Sequence, residues 1–217
     1  MSQKQYIAII GDIIDSKKII ERKQFQNQFE KLLNKINDRY QDSIQSNFTI
    51  TLGDEFQGLL IDYKNLLNII HDINMSMYPI KIRFGIGIGE MSTEIYSDKA
   101  LGSDGPAYHH ARAAINYVHK NEDSNATYYT SVALCPNDNV QSQLLNLSLT
   151  NYSLFLKDWN EAQFHTVRLM QEYKNQTRVA DKLNITQQAV VKRLQRSNYY
   201  NFDHLFHSLN QILEEWS

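Results

Sequence analysis

Two acidic residues, Asp12 and Asp54, each follow an apolar stretch that is typical of a β-strand. Asp12 ends a run of aliphatic side chains, and Gly53-Asp54 is a dipeptide typical of a hairpin turn. Two carboxylates at one edge of a sheet repel each other unless a proton or a cation lies between them. Mg²⁺ prefers such oxygen ligands, together with water and substrate phosphates. The pattern predicts a divalent-metal site. The alternative is that Asp12 and Ser16 only cap a helix and Asp54 only forms a turn.

The composition limits the class of protein. The 217 residues, 42% hydrophobic and 21% charged, suffice for one large domain plus a small one, or for one domain with an appendage. A net charge of −2 excludes a uniformly basic nucleic-acid coat, so nucleic-acid contact needs a local patch. The single cysteine, Cys135, excludes an internal disulfide. We find no run approaching a membrane span and no leader after Met1, so we expect a cytoplasmic protein with no membrane partner.

The patterns of the first two-thirds of the chain predict an α+β fold. A strand at residues 6–14, an amphipathic helix, the hairpin around Gly53-Asp54, a helix stopped by Pro79 and a strand at residues 80–89 follow in order. This order is that of the ferredoxin-like βαββαβ unit. A further helix follows Pro106, and a fifth strand is predicted near residues 126–130. We assign residues 1–150 to this domain.

Residues 151–217 are predicted to form a small all-α domain. A helix around residues 159–170 precedes a second helix at 177–183, a turn at 184–186 and a third helix at 187–197. The lengths of the last two helices and of the turn between them are those of a helix-turn-helix. The last helix, at 202–216, is predicted to serve packing or dimerisation.

The outward face of the predicted helix-turn-helix is basic. Asp181 is the only acid between Lys174 and Arg196, and a local excess of positive charge suits phosphate contact. The first residues of a recognition helix face base edges. The residues assigned to DNA contact are Arg178, Thr186, Gln187, Gln188, Lys192, Arg193 and Arg196. The alternative is an ordinary helical hairpin with a solvated charged face.

Residues 12–14, 52–56 and 83–89 resemble, in this order, the core of class III nucleotidyl cyclases and of the GGDEF-like diguanylate cyclase domains. The whole chain resembles the SatD family more closely, through residues 11–16, the Asp54 hairpin, the Gly85 strand and residues 102–108. That family is bacterial and combines a cyclase-like part with a helix-turn-helix. The resemblance implies a cytosolic regulator that binds a nucleotide and DNA. The alternatives are a divalent-metal-dependent nucleotidyl cyclase or other nucleotide-processing enzyme, and a protein-interaction module.

The resemblance also implies roles for single residues. Asp12 and Asp54, with the main-chain carbonyl of Ile13, would hold Mg²⁺ or Mn²⁺. The amides of residues 15–17, at the start of the first helix, would meet the phosphates. The residues implied for nucleotide binding are Asp15, Ser16, Lys17, Glu55 and Tyr108.

The chain departs from the cyclase pattern in three places, one of them the loop in which Asp104 lies eight instead of seven residues before Arg112. Arg112 stands at the position of the transition-state arginine, but Tyr108 replaces the asparagine four residues earlier, and Ile50 replaces the adenine-reading lysine. Beside Arg112, His109 is a candidate acid or base. The departures remove base recognition and part of the transition-state clamp, so the sequence supports binding better than cyclisation. Because cyclase-like sites are completed across a two-fold interface, we also expect a homodimer.

Overall fold

The computed structural model describes residues 4–123 and 129–217, and it contains one five-stranded sheet. The strands are β1 (Tyr6–Ile13), β2 (Ile44–Leu52), β3 (Glu55–Leu60), β4 (Ile82–Gly89) and β5 (Val132–Cys135). Their order is β2-β3-β1-β4-β5, with antiparallel neighbours except for the parallel pair β4 and β5. The first four strands have the order and directions of a βαββαβ unit, and β5 extends its edge. The predicted α+β class is confirmed.

Eight α-helices accompany the sheet in the described part of the chain. They are α1 (Arg22–Arg39), α2 (Leu66–Met77), α3 (Pro106–Asp123), α4 (Val140–Asp158), α5 (Glu161–Tyr173), α6 (Gln176–Leu183), α7 (Gln187–Arg196) and α8 (Tyr199–Glu215). Successive strand residues face opposite sides of a sheet, so β1 contributes to two apolar clusters. Ile7 and Ile9 pack with residues of α1 and α2, whereas Ala8 and Ile10 pack with residues of α3. None of these helices is both long and apolar enough to cross a membrane.

The glycines of β4 allow α3 to lie unusually close to the sheet. A Cβ atom at Gly85 would stand 2.3 Å from the carbonyl oxygen of Ala111, and one at Gly87 would stand 2.0 Å from that of Ala107. Strand glycines commonly mark such a close approach of another backbone. The alternating glycines therefore set the height of α3 above β1 and β4, and with it the position of the side chains that α3 carries.

The predicted position of the fifth strand needs correction. The fifth strand was expected near residues 126–130. Residues 124–128 lie outside the described part, residues 129 and 130 are not in a strand, and β5 begins at Val132. The apolar residues of β5 pair in parallel with residues 84–87 of β4, whereas the Thr130 hydroxyl and the Ser131 amide lie within hydrogen-bond distance of the Ser153 hydroxyl on α4.

Helix α4 is absent from the elements that the sequence patterns predict. It runs from Val140 to Asp158 and therefore crosses the expected boundary between residues 150 and 151. Its residues Leu145, Leu149 and Tyr152 belong to the same buried cluster as Ile9. The division of the chain into domains 1–150 and 151–217 remains a prediction, and the core is continuous across it.

The helices that follow α4 agree closely with the expected segments. Asn175 caps α6 by accepting a hydrogen bond from the amide of Arg178, and Thr186 caps α7 in the same way through the amide of Ala189. Between the two helices, Asn184 adopts a left-handed conformation, φ 52°, which turns the chain after α6. The expected turn at residues 184–186 is confirmed, and α8 begins at Tyr199 instead of residue 202.

Candidate functional site

A row of charged residues crosses three strands at one end of the sheet. In the strand register, Asp12 of β1 lies opposite Glu55 of β3 on one side and opposite Arg83 of β4 on the other. Directly opposite residues share a face of the sheet, and this is the face that α3 covers. The charged ends of these strands therefore meet beneath α3.

The Asp12 carboxylate has two nitrogen partners, from Arg83 and His119. Nη1 of Arg83 donates to its Oδ2 at 2.8 Å, and Nε2 of His119, on α3, lies 3.2 Å from the same oxygen. The Asp12 and Arg83 side chains are only 18% and 14% exposed, so this pair is screened little by solvent. Desolvation raises the pKa of Asp12, the partners Arg83 and His119 oppose that shift, and the negative charge of Asp54 adds to it.

The tip of the β2–β3 hairpin holds Asp54 against the end of β1. The amide of Ile13 donates to the carbonyl oxygen of Asp54 at 3.2 Å, and the Ser16 hydroxyl donates to the Asp54 carboxylate. Gly53 takes the left-handed conformation that the turn requires, φ 62°. The structure thus brings the two carboxylates of the expected metal pair to one edge, and the charge of Asp54 acts on Asp12.

The donor set fits a hard cation that arrives with a phosphate. Carboxylates of Asp12 and Asp54 and the carbonyl of Ile13 are oxygen ligands, and Mg²⁺ commonly takes one or two carboxylates plus substrate phosphates. Within residues 4–123 and 129–217, no cluster of three or more His, Cys, Asp or Glu side chains is arranged as a metal site. The protein residues therefore suit part of a coordination shell, which water and a ligand would complete.

The loop after β1 differs from the expected phosphate site. Residues Ser16–Lys18 form a single 3₁₀ turn, and α1 begins only at Arg22, so residues 15–17 do not open the first α-helix. Asp15 is left-handed, φ 58°, and its carboxylate accepts a hydrogen bond from Lys18 at 2.9 Å. The aligned amides and dipole of an α-helix N-terminus are therefore missing at residues 15–17. The helix-capping alternative is also wrong for Asp12 and Ser16, since their side chains bond Arg83 and Asp54.

On α3, the two catalytic candidates lie in different surroundings. Arg112 forms a two-bond pair with Glu55, and this hydrogen bonding raises the pKa of the guanidinium. His109 instead contacts Asp104 of the preceding loop, with Nε2 3.1 Å from Oδ1, and both side chains are exposed. The structure therefore brings Arg112, but not His109, to the row of charges.

Tyr108 is placed inside the protein. It belongs to the small apolar cluster between α3 and the sheet, and its hydroxyl is buried without a hydrogen-bond partner in the described part of the chain. Burial raises the pKa of that hydroxyl well above its ordinary value. The nucleotide contact expected of Tyr108 would need this side chain to leave the cluster.

The residues expected to contact DNA lie on α6, on α7 and in the turn between them. Thr186, Gln187 and Gln188 are exposed at the start of α7, where Thr186 also caps the helix. The basic members Arg178, Lys192 and Arg196 are exposed, and Arg193 is half-buried. None of these four forms a salt bridge with a carboxylate of residues 4–123 or 129–217. Val179, Val190 and Leu194 are buried on the opposite side, as the pattern predicts.

The model of the SatD family matches residues 6–202. The chain belongs to the SatD family. The match begins with the first residue of β1 and ends inside α8, so it includes both the row of charges and the basic helices. No curated protein matches the chain.

Three solved structures resemble this SatD-family chain at low identity. The catalytic core of a rhodopsin-guanylyl cyclase is 14% identical, over 52% of this chain and 72% of that one, with a TM-score of 0.40. A bacterial light-regulated adenylyl cyclase is 15% identical, over 60% of this chain and 74% of that one, with a TM-score of 0.42. A regulator of polyketide synthase expression from Bifidobacterium adolescentis is 13% identical, over 98% of this chain and 86% of that one, with a TM-score of 0.31. Similarities this low assign no activity to the chain.

Two residues of the site in this SatD-family protein were missed in the sequence, Arg83 and His119. Arg83 becomes a partner of Asp12 only through the antiparallel register of β1 and β4, and that register cannot be read from the sequence alone. His119 lies seven residues, or about two helical turns, beyond Arg112 and therefore on the same side of α3. That spacing was a usable signal once Arg112 had been placed near the sheet edge.

Proposed function

We propose that this protein is a cytosolic bacterial regulator that binds a nucleotide together with Mg²⁺ or Mn²⁺ at the row of charges, and DNA through α7. The observation that carries the proposal is the fixing of Asp54 beside the end of β1. Two hydrogen bonds, from Ile13 and Ser16, hold an acidic turn near a second, desolvated carboxylate. Asp12 already pairs with Arg83, whereas Asp54 forms no salt bridge with a described residue, so a cation between the two carboxylates would relieve the repulsion that Asp54 exerts on Asp12.

The residues divide the work of the nucleotide site. Asp12 and Asp54, with the Ile13 carbonyl, would hold the cation, which supplies positive charge for the phosphates. Arg83 and His119 orient the Asp12 carboxylate and oppose the rise of its pKa that burial causes. Arg112 is bonded to Glu55, yet its side chain is half exposed, and a phosphate is a second anion that a guanidinium can grip with two bonds. Exchange of Glu55 for phosphate would couple nucleotide binding to the contact between β3 and α3.

The alternative function is a divalent-metal-dependent nucleotidyl cyclase or another nucleotide-processing enzyme. His119 is the observation that favours it, because an imidazole beside a metal-binding carboxylate can accept or donate a proton. Against cyclisation, Tyr108 stands where the cyclase pattern has an asparagine, and His109 faces Asp104. Product analysis after incubation with nucleoside triphosphates and Mn²⁺ separates turnover from binding alone.

Substitution of the two carboxylates tests the metal site. Asp12→Asn and Asp54→Asn should each weaken Mn²⁺ binding by about 10- to 100-fold or more, since each removes one of two anionic ligands. Calorimetric titration with Mn²⁺, with and without a nucleoside triphosphate, measures the effect. Asp98→Asn is the matched control, because it removes an exposed carboxylate that lies outside the row of charges. Unchanged Mn²⁺ affinity in both of the first two variants would leave the pair a purely structural feature.

The proposed DNA contact rests on the exposed basic side chains of α6 and α7, which form no salt bridge with a carboxylate of the described residues. Phosphate contact requires cationic side chains that are not already paired with carboxylates of the protein. Within the described residues, Arg178, Lys192 and Arg196 meet that condition. Gln188 lies exposed near the start of α7, and glutamine can pair with adenine through two hydrogen bonds. The fixed cap at Thr186 sets the angle at which these residues would enter a groove.

A pair of charge-removing variants tests this contact. Lys192→Ala with Arg196→Ala should weaken binding to all sequences and lower the dependence of log affinity on log salt by about 2, one for each phosphate contact. Gln188→Ala should instead reduce sequence preference at one base pair by about 1 to 3 kcal/mol. Fluorescence anisotropy over a range of salt concentrations measures both, using fragments selected from bacterial genomic DNA.

Lys31→Ala with Lys35→Ala provides the matched control for the DNA experiment. These two lysines are exposed on α1 and have the same four-residue spacing as Lys192 and Arg196. Equal losses in both double variants would mean that only net charge matters, and the proposed role of α7 would be lost. Failure of the unaltered protein to select any DNA at low salt would remove the regulator proposal but leave the metal test valid.

A further inference from the structure

Helix α4 has an exposed apolar face that nothing in the described chain covers. Val140, Leu144, Leu147 and Leu154 are 69%, 58%, 62% and 38% exposed. The opposite face of the helix is fully used, since Ser142, Leu145, Leu149, Tyr152 and Ser153 are buried against the body of the protein. A contiguous apolar face of this kind on a folded protein marks an interaction surface.

The spacing of the exposed residues is that of a coiled-coil seam. Val140, Leu144, Leu147, Asn151 and Leu154 follow one another at steps of four, three, four and three residues, which are alternating d and a positions of a heptad. The one polar member, Asn151, falls at an a position and is exposed. A single asparagine at an a position is the device that fixes register and two-strandedness in parallel coiled coils.

The absence of charged residues along most of α4 indicates which partner occupies the seam. From Val140 to Leu156, α4 contains no Asp, Glu, Lys, Arg or His. A symmetric dimer brings identical residues together across its axis, so any charge near the seam would meet its own copy and repel it. The absence of charge removes this penalty and leaves no ionic feature that would select a different, charged partner.

We propose that two copies of this chain associate through parallel packing of their α4 helices along this seam, which we call the α4 seam. The parallel arrangement sets Asn151 against the partner's Asn151, where two amides can hydrogen-bond to each other. An antiparallel arrangement would set Asn151 against the partner's Leu144 and bury an amide without a polar neighbour. Within its own chain, Asn151 makes one hydrogen bond among the described residues, to the carbonyl of Leu147 at 3.0 Å.

The short length of the seam is compensated by the order already present in the monomer. Two heptads span roughly 21 Å, which is too short for isolated helices to form in water. Here the buried face of α4 holds the helix in place before association, so dimerisation costs little conformational entropy. A groove of about 450 Å³ lies beside Leu147, with the half-exposed Tyr117 on its rim, and widens the surface beyond the helix itself.

This interface differs from the shared site that the cyclase resemblance implies. That arrangement would bring Arg112 to the partner's Asp12 and Asp54, whereas Arg112 here is bonded to Glu55 of its own chain. The α4 seam leaves the row of charges untouched. It therefore stands whether or not the protein binds a nucleotide.

Leu147→Lys tests the seam because it sets two ammonium groups near the axis of the dimer. The unaltered full-length protein should sediment as a dimer at micromolar concentration, and Leu147→Lys should weaken the dimer by about 100-fold or more. Ile20→Lys is the control, since Ile20 is 98% exposed, lies outside α4 and should leave the dimer unchanged. Far-UV circular dichroism of both variants verifies that they fold. A monomeric unaltered protein at 100 times that concentration, or a dimer insensitive to Leu147→Lys, would overturn the proposal.

Cysteine cross-linking tests the parallel register separately. In the parallel arrangement, Leu144→Cys lies opposite the partner's own residue 144 and should form an intermolecular disulfide on mild oxidation. A Leu144→Cys protein mixed with an Asn151→Cys protein should give homodimers but few cross-linked heterodimers. If the mixed pair cross-links efficiently and Leu144→Cys alone does not, the helices are antiparallel and the parallel seam is wrong.

Discussion

Gly87→Ala is expected to lower the free energy of unfolding by about 3 kcal/mol, which is at the upper end of what overpacking costs. The added methyl group would stand 2.0 Å from the carbonyl oxygen of Ala107 and 2.1 Å from the amide nitrogen of Ala111. Both atoms belong to the backbone of α3, so no side chain can rotate away and the whole helix must move off the sheet. Urea unfolding followed by circular dichroism measures the change.

Gly102→Ala is the control for this prediction. Gly102 has φ +95°, and a Cβ atom there would meet no atom within 4 Å. The substitution therefore carries only the strain of a left-handed conformation, about 1 to 2 kcal/mol. If the Gly87→Ala protein were no less stable than the Gly102→Ala protein, the position of α3 would not depend on the absence of a Cβ atom at residue 87. In the expected case, movement of α3 should also weaken Mn²⁺ binding, because His119 and Arg112 are carried by the same helix.

Periodicity in the sequence was sufficient for most of the sheet and the helices that cover it. Strand β1 is apolar on both faces, which is typical of a strand covered on both sides. Helix α1 repeats its buried residues at helical spacing, which is typical of a helix with one buried face. The same logic explains why α4 was missed. Its buried Leu145 and Leu149 alternate with the exposed Leu144 and Leu147, so no single polar face remains to reveal a helical period.

The site could be predicted only in part, because its contacts depend on register. A strand end and a hairpin tip suffice to place Asp12 and Asp54 at one edge. The partners of those residues come from pairings between distant segments. Arg83 contacts Asp12 because β4 pairs with β1 in this register. Arg112 contacts Glu55 because the glycines of β4 let α3 lie close to the sheet. The loop at residues 15–17 failed as a helix start because Asp15 turns left-handed and delays α1 to Arg22.

A buried histidine connects the sheet-covering helices to the C-terminal helices. His71 of α2 lies 3.2 Å through Nδ1 from the hydroxyl of Tyr152 on α4, and 3.1 Å through Nε2 from Oε1 of Gln171 on α5. Neutral imidazole satisfies both contacts by donating from Nε2 and accepting at Nδ1. The ring also packs 4.6 Å from that of Phe206 on α8. Charging this imidazole would add a second N–H where Nδ1 now accepts.

Acidification should therefore destabilise the protein through His71. Burial lowers the pKa of His71 from its ordinary 6.5 to about 4. Between those pH values, His71 binds a proton in the unfolded chain but not in the folded chain. The contribution of neutral His71 to the free energy of unfolding is therefore complete above pH 6.5 and is lost as pH falls towards 4. The difference corresponds to about 3 kcal/mol, most of which should be lost by pH 4.5.

His71→Gln removes the titrating group and tests this assignment. Its unfolding free energy, measured with urea at pH 7.5 and pH 4.5, should fall by about 2 to 3 kcal/mol less over that interval than that of the unaltered protein. His207→Gln is the control, because it makes the same substitution at an exposed histidine of α8 that lies outside this junction. Parallel pH profiles for the unaltered and His71→Gln proteins would mean that the α2–α4–α5 junction accommodates the charged ring.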